Sequence, residues 1–399
     1  MISHRNTFLD HIAQTSDAPM ALEIKKADGI YLKTTDGKRY IDLISGIGVS
    51  NLGHRNHKVL QAIRKQLGKY LHTMVYGEYV QSPQVKLARK LSTLLPKTLD
   101  ATYFVNSGSE AIEGALKLAK RITGRTNFVS MQNAYHGSSS GAMSLMSDPY
   151  FTNAYRPLLP GFFHASFNDI QSLSVINNET AAVVLEIVQA EAGYLAPNPD
   201  FLAAVQQKCR DTGALLIVDE IQTGMGRTGK LFAIEHYGIV PDILCLAKAF
   251  GGGMPLGAFV SSKENMLQLS HDPVLGHITT FGGHPVCCAA GLENLNQLSK
   301  SKLVSDVESK SQLFKTLLVH PDIVEITGKG FMLGVQLKSK ERLHAVVDHC
   351  IANGVIIDWF LFAEDKLRIA PPLIITESQI KKVCKVIINA LDATKLVTS

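Results

Sequence analysis

Lys248 and Asp219 each stand at the end of a short apolar run, and these two residue types can do chemistry together. Asp219 follows the run 215–218, and Lys248 follows the run 243–247. If the runs are neighbouring parallel strands, their ends meet at one crevice, which is where ligands bind in open α/β sheets. Because a lysine among apolar neighbours is poorly solvated, its neutral amine, the form that attacks a carbonyl, is favoured.

A lysine that forms a Schiff base and a carboxylate that holds a pyridinium nitrogen are the two groups that pyridoxal 5'-phosphate (PLP) requires from a protein. We therefore predict a PLP site in which Lys248 is the covalent anchor and Asp219 is the partner of the ring nitrogen. Gln222, three residues further on, is placed to reach the ring hydroxyl.

A candidate phosphate cradle lies at residues 106–111, Asn-Ser-Gly-Ser-Glu-Ala, between the predicted strand 101–105 and a predicted helix. Gly108 allows close approach of the backbone, Ser107 and Ser109 supply hydroxyls, and the first N–H groups of a helix lack internal partners. The alternative interpretation is an ordinary helix cap by Ser109.

Two further segments are weaker candidates on their own. Tyr135-His136-Gly137 follows the predicted strand 127–131, and an aromatic ring there can stack on a flat cofactor. Loop 279–285 is glycine-rich with paired hydroxyls that can bind phosphate, or it is only a tight turn before a helix. Residues 224–229 match a dinucleotide fingerprint, but they do not follow their strand directly, so we do not interpret them as a nucleotide site.

These side chains need a scaffold that brings strand ends together. Between about residues 55 and 290, apolar strands alternate with helical patterns, which is typical of a mostly parallel sheet with helices on both faces. After residue 290 a long helix, three strands and a closing helix predict a smaller α+β unit. We predict an α/β protein with a large domain, 55–290, and a small domain built from 1–54 and 291–399.

The composition excludes several classes of protein. With 399 residues, 46% hydrophobic, and a net charge of +5, the chain is typical of a globular protein that binds anionic small molecules rather than nucleic acid. The fourteen histidines show no metal-ligand spacing. The six cysteines show no disulfide framework, so we expect buried thiols in a cytoplasmic protein. Neither a secretory signal nor a membrane-spanning stretch is predicted.

The motifs occur in the order and approximate spacing of class III PLP-dependent aminotransferases, and the chain resembles that family over nearly its whole length. It is similar to the subgroup that contains acetylornithine, ornithine, 4-aminobutyrate and putrescine aminotransferases. The motifs are Asn106-Ser-Gly-Ser-Glu110, Tyr135-His-Gly137, Asp219-Glu-Ile-Gln222, Lys248-Ala-Phe-Gly-Gly-Gly253, Thr280-Phe-Gly-Gly283 and Leu367-Arg-Ile-Ala-Pro-Pro-Leu373.

The resemblance implies a PLP-dependent transferase of fold type I that moves a terminal amino group to 2-oxoglutarate by a ping-pong mechanism. Lys248 would bind PLP as a Schiff base and then move the substrate proton, and Asp219 would keep the ring nitrogen protonated. Thr280 would come from the partner subunit of a homodimer. The implied cofactor-binding residues are Ser107, Gly108, Ser109, Tyr135, His136, Asp219, Gln222, Lys248 and Thr280.

The same resemblance makes Arg368 the residue that binds the α-carboxylate of the oxo acid, and Glu186 the carboxylate that pairs with Arg368 when an amine donor is bound. Ser138 occupies a position where related enzymes carry an arginine for the far carboxylate of the donor. A serine forgoes that charged contact, on the order of 2 kcal/mol, so a diamine competes with ornithine or N-acetylornithine as the donor.

Two other functions remain open from the sequence. The same scaffold supports aminomutases and decarboxylases, which would release different products from an amine without an oxo acid. A regulator with a PLP fold but no activity is the third interpretation, disfavoured by the presence of both Lys248 and Asp219.

Overall fold

The structure is a computed structural model that describes residues 4–394 of the chain. Within this range the strands, in chain order, are β1 (Ile24–Asp28), β2 (Tyr31–Thr34), β3 (Arg39–Asp42), β4 (Ala101–Val105), β5 (Asn127–Met131), β6 (Phe162–Ala165), β7 (Thr180–Glu186), β8 (Leu215–Asp219), β9 (Ile243–Leu246), β10 (Gly257–Ser261), β11 (Ile323–Lys329), β12 (Met332–Leu337), β13 (Val355–Ile356), β14 (Asp358–Trp359) and β15 (Lys366–Ile369).

The helices of the same range, in chain order, are α1 (His4–His11), α2 (Ser45–Gly48), α3 (His57–Leu67), α4 (Ser82–Ser92), α5 (Gly108–Thr123), α6 (Ser140–Ser144), α7 (Pro149–Thr152), α8 (Pro199–Thr212), α9 (Lys263–Leu267), α10 (Pro285–Lys300), α11 (Val307–Leu317), α12 (Leu343–Ala352) and α13 (Glu377–Ala393). Among these, α2 is a single turn that includes left-handed backbone, since φ is 61° at Gly46 and 59° at Ile47.

A seven-stranded sheet with the order β4-β10-β9-β8-β7-β5-β6 forms the centre of the molecule. Strands β9, β8, β7, β5 and β6 are parallel, and β10 is antiparallel to both β4 and β9. All seven residues of β7 are buried, as expected for a central parallel strand that is covered on both faces. The mostly parallel sheet predicted from the sequence is therefore confirmed, with β10 as the exception.

The register of the parallel strands brings their carboxyl ends level with one another. Glu186 at the end of β7 pairs with Asp219 at the end of β8, and Asp219 pairs with Cys245 of β9. Lys248 follows β9 after one intervening residue. The crevice that the sequence predicts therefore lies at this edge of the sheet.

Two residues separate the end of β4 from the start of helix α5, and the sequence of α5 explains both of its ends. The Ser107 hydroxyl accepts a hydrogen bond from the Glu110 N–H, which caps the first turn. Gly124 ends the helix in the left-handed conformation, with φ of 68°. The helix presents a continuous apolar stripe to the sheet, which fixes the position of its N-terminus at the crevice.

Two smaller sheets carry the rest of the chain. One has the order β1-β2-β3-β13, so that a strand near residue 355 extends a sheet begun by the N-terminal segment. The other, β11-β12-β15-β14, is antiparallel and places Arg368 of β15 opposite Asp358 of β14. The domain boundaries near residues 55 and 290 stay predictions, and the second of them falls inside α10.

Three further observations bear on the classes of protein considered above. Within residues 4–394, no helix combines the length and the apolar character that crossing a membrane requires. That same part of the chain contains no group of three or more His, Cys, Asp or Glu residues arranged to hold a metal ion. The six cysteines are buried free thiols, as the sequence predicts.

Candidate active site

A cavity of about 370 Å³ opens where β5, β7, β8 and β9 end. Nine of the predicted site residues line it together: Ser107, Gly108, Ser109, Tyr135, His136, Glu186, Asp219, Gln222 and Lys248. Arg368 lies behind the wall of the cavity, and Thr280 is not among the residues of this chain that line it.

Lys248 reaches the cavity from a strained stretch of backbone. Its φ of 48° is left-handed, and it begins a short 3-10 turn, Lys248–Gly251, which is followed by Gly252, also left-handed. Burial lowers the pKa of the Lys248 ammonium below its ordinary value, although the nearby charges of Glu191 and Asp219 oppose that change. The neutral amine that nucleophilic attack requires is therefore more accessible than in water.

Asp219 is held by a histidine from a different strand end. The Asp219 Oδ2 atom lies 2.7 Å from His136 Nδ1, and Oδ1 accepts the Ile221 N–H at 2.9 Å. Burial by itself would lower the pKa of His136, but the hydrogen bond and charge of Asp219, with the charge of Glu186, raise it. Sequence reasoning placed His136 at the cofactor without finding this pair, because His136 reaches Asp219 across β7, which lies between their strands.

Glu186 does not contact Arg368, so the predicted Glu186–Arg368 pair is wrong. Its Oε1 accepts the Ala190 N–H at 3.1 Å, and its Oε2 accepts the Tyr135 N–H at 3.4 Å. Burial raises the pKa of the Glu186 carboxyl to about 7, while the charge of His136 works in the opposite direction. Glu186 is thus a buried carboxyl beside Asp219 rather than a counter-ion for an arginine.

Arg368 is paired with Glu191 instead, a residue that sequence reasoning did not select. Its Nη2 donates to Glu191 Oε2 at 2.7 Å and to the Trp359 carbonyl at 2.8 Å. Its Nε lies 3.3 Å from Asp358 Oδ1, and its guanidinium packs over the ring of Phe360. Burial disfavours the charge of Arg368, yet Tyr194, Asp358 and Glu191 together raise its pKa.

The chain geometry explains why Glu191, five residues beyond Glu186, faces the arginine. A two-residue bridge between Gln189 and Leu195 closes a tight turn, in which Gly193 has a φ of 90°. This turn carries Glu191 away from the sheet and toward the segment that follows β14, where the Leu361 N–H donates to its Oε2 at 3.2 Å. Glu191 also lines the cavity, so it separates Arg368 from the open space.

At the predicted phosphate cradle, close packing within the protein requires two glycines. Gly108 approaches Ile221 so closely that a Cβ at position 108 would lie 2.9 Å from its Cδ1. A Cβ on Gly137 would lie 2.1 Å from the Ser109 hydroxyl, which accepts the Ser138 N–H at 3.2 Å. The N-terminus of α5 therefore meets the segment after β5, and both face the cavity.

Tyr135 and Ser138 are connected to each other. The Tyr135 hydroxyl lies 2.9 Å from Ser138 Oγ, so the serine that replaces the expected arginine holds the aromatic ring in place. Among the described residues that line the cavity, the basic side chains are His136 and Lys248. His136 is already bonded to Asp219, and Lys248 is the predicted covalent anchor of the cofactor. Neither side chain is therefore a free cation for the far carboxylate of a donor.

The residues present fit a flat, anionic group that carries a carbonyl. Both polar atoms of the Gln222 amide are buried without a partner, and so is His136 Nε2. Unpartnered buried polar groups are rare in native structures, and Gln222 faces the cavity where a ring hydroxyl would satisfy it. Lys248, Asp219 and the N-terminus of α5 supply the groups for an aldehyde, a ring nitrogen and a phosphate.

Comparison with known proteins identifies a family. The family model described as "Aminotransferase class-III" matches residues 12–391 of this chain. Pyridoxal phosphate is the cofactor of that family, and a related structure is described with PLP at its active site.

Solved structures similar to this chain include several aminotransferases. The ornithine aminotransferase of Toxoplasma gondii is 28% identical with a TM-score of 0.90, covering 97% of this chain and 93% of that one. An aminotransferase from Bacillus anthracis is 27% identical with a TM-score of 0.90, covering 98% of each chain. An (S)-enantioselective omega-transaminase from Thermomicrobium roseum is 28% identical with a TM-score of 0.88, covering 96% of each chain.

Proposed function

This chain belongs to the class-III aminotransferase family, and from that premise we propose that it moves the terminal amino group of an amine to a 2-oxo acid such as 2-oxoglutarate. The observation that carries the proposal is the state of Arg368. It is buried behind the cavity, it has Glu191 between itself and the open space, and its Nη1 has no partner. A substrate carboxylate that takes the place of Glu191 would satisfy that donor.

PLP, when bound, supplies an aldehyde and a protonated ring that draws electrons from the substrate carbon. In our proposal Lys248 would hold that aldehyde between reactions and, once released as a free amine, would take the proton from the carbon that bears the amino group and deliver it to the former aldehyde carbon, with the reverse transfer when the 2-oxo acid is bound. The lowered pKa of Lys248 supports both roles. Asp219, fixed by His136, would hold the ring nitrogen.

Glu191 allows the same cavity to take two different substrates in turn. While an amine without a carboxylate is bound, Glu191 remains on Arg368 and the buried guanidinium keeps its counter-ion. When the 2-oxo acid binds, its α-carboxylate replaces Glu191, which turns away. The location of Glu191 in a loop, rather than in a strand, supports this exchange.

We propose a donor whose far end is uncharged or positively charged, such as a diamine. The Ser138 hydroxyl is hydrogen-bonded to the Tyr135 hydroxyl. The described residues that line the cavity include the carboxylates of Glu186 and Glu191 but no free cation. A far carboxylate, as in 4-aminobutyrate, would be desolvated without a counter-ion. N-acetylornithine and ornithine are weaker candidates because each would require that Arg368 bind its carboxylate in the donor reaction as well.

We also propose a homodimer in which Thr280 of one subunit completes the phosphate site of the other. The 278–281 loop is supported for this role by its exposed Ile278 and Phe281, and Thr279 of the same loop lines a surface pocket together with the exposed Tyr79. Apolar groups of this size at one place are typical of a protein interface.

The experiment compares acceptors that differ only in the α-carboxylate, namely pyruvate with acetaldehyde and 2-oxoglutarate with succinate semialdehyde. In Arg368→Lys we expect kcat/KM for the 2-oxo acids to fall about 10- to 100-fold, the value of a charged bidentate contact, with little change for the aldehydes. Equal losses for both members of a pair would refute the role of Arg368.

Arg342→Lys is the matched control. Arg342 is another buried arginine bonded to a carboxylate, since its Nη1 donates to Asp322 Oδ2 at 2.6 Å, but it does not line the cavity. This variant should leave the ratio of 2-oxo acid to aldehyde unchanged.

A second assay separates transamination from the other chemistry that this scaffold supports. Incubation with a donor and no oxo acid should stop after one turnover per site, with the aldehyde product and no CO₂. Continued turnover or CO₂ release would indicate an aminomutase or a decarboxylase. A panel of putrescine, ornithine, N-acetylornithine, lysine and 4-aminobutyrate then identifies the donor.

A further inference from the structure

Arg227 is the most completely buried charged residue near the cavity, and the chemistry proposed above does not use it. It is 0% exposed and lies in the 224–229 turn, the glycine-rich segment that matched a dinucleotide fingerprint. Within residues 4–394 no carboxylate lies in ion-pair contact with it, and burial lowers its pKa to about 10. A buried arginine without an anionic partner is costly, so its presence needs an explanation.

Its partners are neutral oxygens from two distant parts of the chain. Nη2 donates to the side-chain oxygen of Asn51, in the segment that leads into α3. Nη1 donates to the Pro371 carbonyl and, at 3.5 Å, to the Phe331 carbonyl, both in the C-terminal part of the chain. Only the flat, forked guanidinium offers several fixed donors at these angles, which lysine cannot reproduce.

The backbone around Arg227 reinforces the same junction. The Phe331 N–H donates to the Arg227 carbonyl at 2.9 Å, and the Asn51 side chain donates to the Met225 carbonyl at 2.6 Å. Gly330 packs so tightly that a Cβ there would lie 2.6 Å from the Thr228 carbonyl carbon. The junction is thus closely packed and cannot adjust easily if one of its parts moves.

Arg227 and two of its partners, Asn51 and Pro371, are close in sequence to residues of the candidate site. Val49, two residues before Asn51, lines the cavity. Arg368 is three residues before Pro371, and Gln222 is five residues before Arg227 itself. One guanidinium therefore connects the segments that carry Arg368, Gln222 and Val49.

We propose that Arg227 is a positioning residue, which sets the place of Arg368 relative to Lys248 by fixing the 370–373 segment and Asn51 to the 224–229 turn. It touches neither substrate nor cofactor. A displacement of Arg368 by about 1 Å is enough to lower the rate with a carboxylate substrate by about 100-fold. This inference rests on the proposed role of Arg368 as the carboxylate-binding residue.

The test is Arg227→Lys, which keeps the charge and the alkyl stem and removes the fork. We expect kcat/KM for pyruvate or 2-oxoglutarate to fall at least about 10-fold, and that for acetaldehyde or succinate semialdehyde to fall less than about 3-fold. PLP content and the cofactor absorbance should stay those of the wild type, because Lys248 and Asp219 are untouched. Equal losses for 2-oxo acids and aldehydes, or no loss, would overturn the proposal.

Arg121→Lys is the matched control. Arg121 also donates from three nitrogens to backbone carbonyls, those of Gln268, His271 and Asp272, but on the surface and away from the cavity. It should leave the ratio of 2-oxo acid to aldehyde unchanged, whatever it does to thermal stability.

Asn51→Ala is the second variant, for use if Arg227→Lys does not fold. It removes one of the three acceptors and should shift the ratio in the same direction by a smaller factor, and an unchanged ratio would again overturn the proposal. Arg368→Lys separates the role of Arg368 from that of Arg227. If that variant loses discrimination and the Arg227 and Asn51 variants do not, the carboxylate site stands and the positioning role fails.

Discussion

The two walls of the cavity are built in different ways. On the cofactor wall, Asp219 and Glu186 stand at the ends of adjacent strands, and the register of one sheet fixes their separation. On the substrate wall, Arg368 comes from a different sheet and meets Glu191, which lies in a loop. The first wall is fixed by backbone hydrogen bonds, whereas the second depends on contacts between side chains far apart in sequence.

The electrostatics of the walls differ in the same sense. The charge of Asp219 is matched by His136, which is buried and has no competing route to solvent. Arg368 has an unpartnered donor, and its closest counter-ion faces the open cavity. A permanently bound cofactor needs the first kind of wall, and substrates that alternate need the second.

The largest effect is expected for a substitution in the cofactor wall, Lys248→Ala. In Lys248→Ala, turnover should fall by at least about 10⁴-fold, because both the covalent anchor and the proton-transfer group are lost. The visible absorbance of the bound cofactor should change, and borohydride treatment followed by mass spectrometry should label Lys248 in the wild type only. Label at any other lysine of the wild type would contradict the assignment.

Glu186→Gln tests the charge of the same wall through stability. The pKa of Glu186 is raised from 4.5 to about 7 in the folded protein, so the stability that its proton provides is present below pH 4.5 and lost as the pH rises through 7. Glutamine cannot ionise, so the variant does not lose this stability as the pH rises. The difference in unfolding free energy, variant minus wild type, should therefore increase over that range by on the order of 2 kcal/mol. Urea unfolding from pH 4.5 to 8 measures the difference.

The control for this experiment is Glu78→Gln, at an exposed position. We expect its difference from the wild type to be independent of pH over the same range. A flat difference for Glu186→Gln as well would show that the buried carboxyl is not the origin of the pH dependence.

Glu191→Gln tests whether the counter-ion of Arg368 controls which substrate the substrate wall accepts. The 2-oxo acid would no longer compete with a charged residue for Arg368, and a carboxylate-free donor would leave that arginine with a neutral partner. We expect the ratio of kcat/KM for oxo acid to that for diamine to rise about 10-fold. Glu78→Gln, at an exposed position outside the cavity lining, is the control, and an equal shift in both variants would contradict the assignment of Glu191.

Thr280→Val has the smallest expected effect, a loss of about 5-fold in PLP affinity from one missing hydrogen bond. Mixed dimers give the decisive measurement. When Thr280→Val and Lys248→Ala subunits are combined, one site of each mixed dimer contains Lys248 and receives an intact Thr280 from its partner. Recovery of wild-type PLP affinity at that site supports the proposed exchange between subunits, and no recovery means that Thr280 acts within its own chain.

The cofactor wall could be predicted from the sequence because its residues are local to strand ends. Lys248, Asp219 and the 107–109 segment each follow an apolar run, and parallel strands bring such ends together. The predicted strands 101–105 and 127–131 coincide with β4 and β5, whereas the part after residue 290 contains five strands, β11 to β15, instead of the three predicted. The pair of His136 with Asp219 required the order of strands in the sheet, which no local pattern contains.

The substrate wall could not be predicted for a different physical reason. Glu186 and Glu191 belong to the same segment, and the choice between them depends on a turn closed by Gln189 and Leu195. Asp358 contacts Arg368 because β14 and β15 are paired, and β14 is only two residues long. A strand of two residues is too short to show the alternation of apolar and polar residues from which strands are predicted.

The left-handed backbone at Lys248 lowers the stability of the fold at the residue that the reaction requires. A residue with a Cβ holds that conformation at a cost of about 1 kcal/mol, which glycine avoids. Selection for thermal stability alone would therefore favour glycine at position 248 and produce an inert protein. Any programme of directed evolution on this chain should score turnover together with melting temperature, since the two are opposed at this residue.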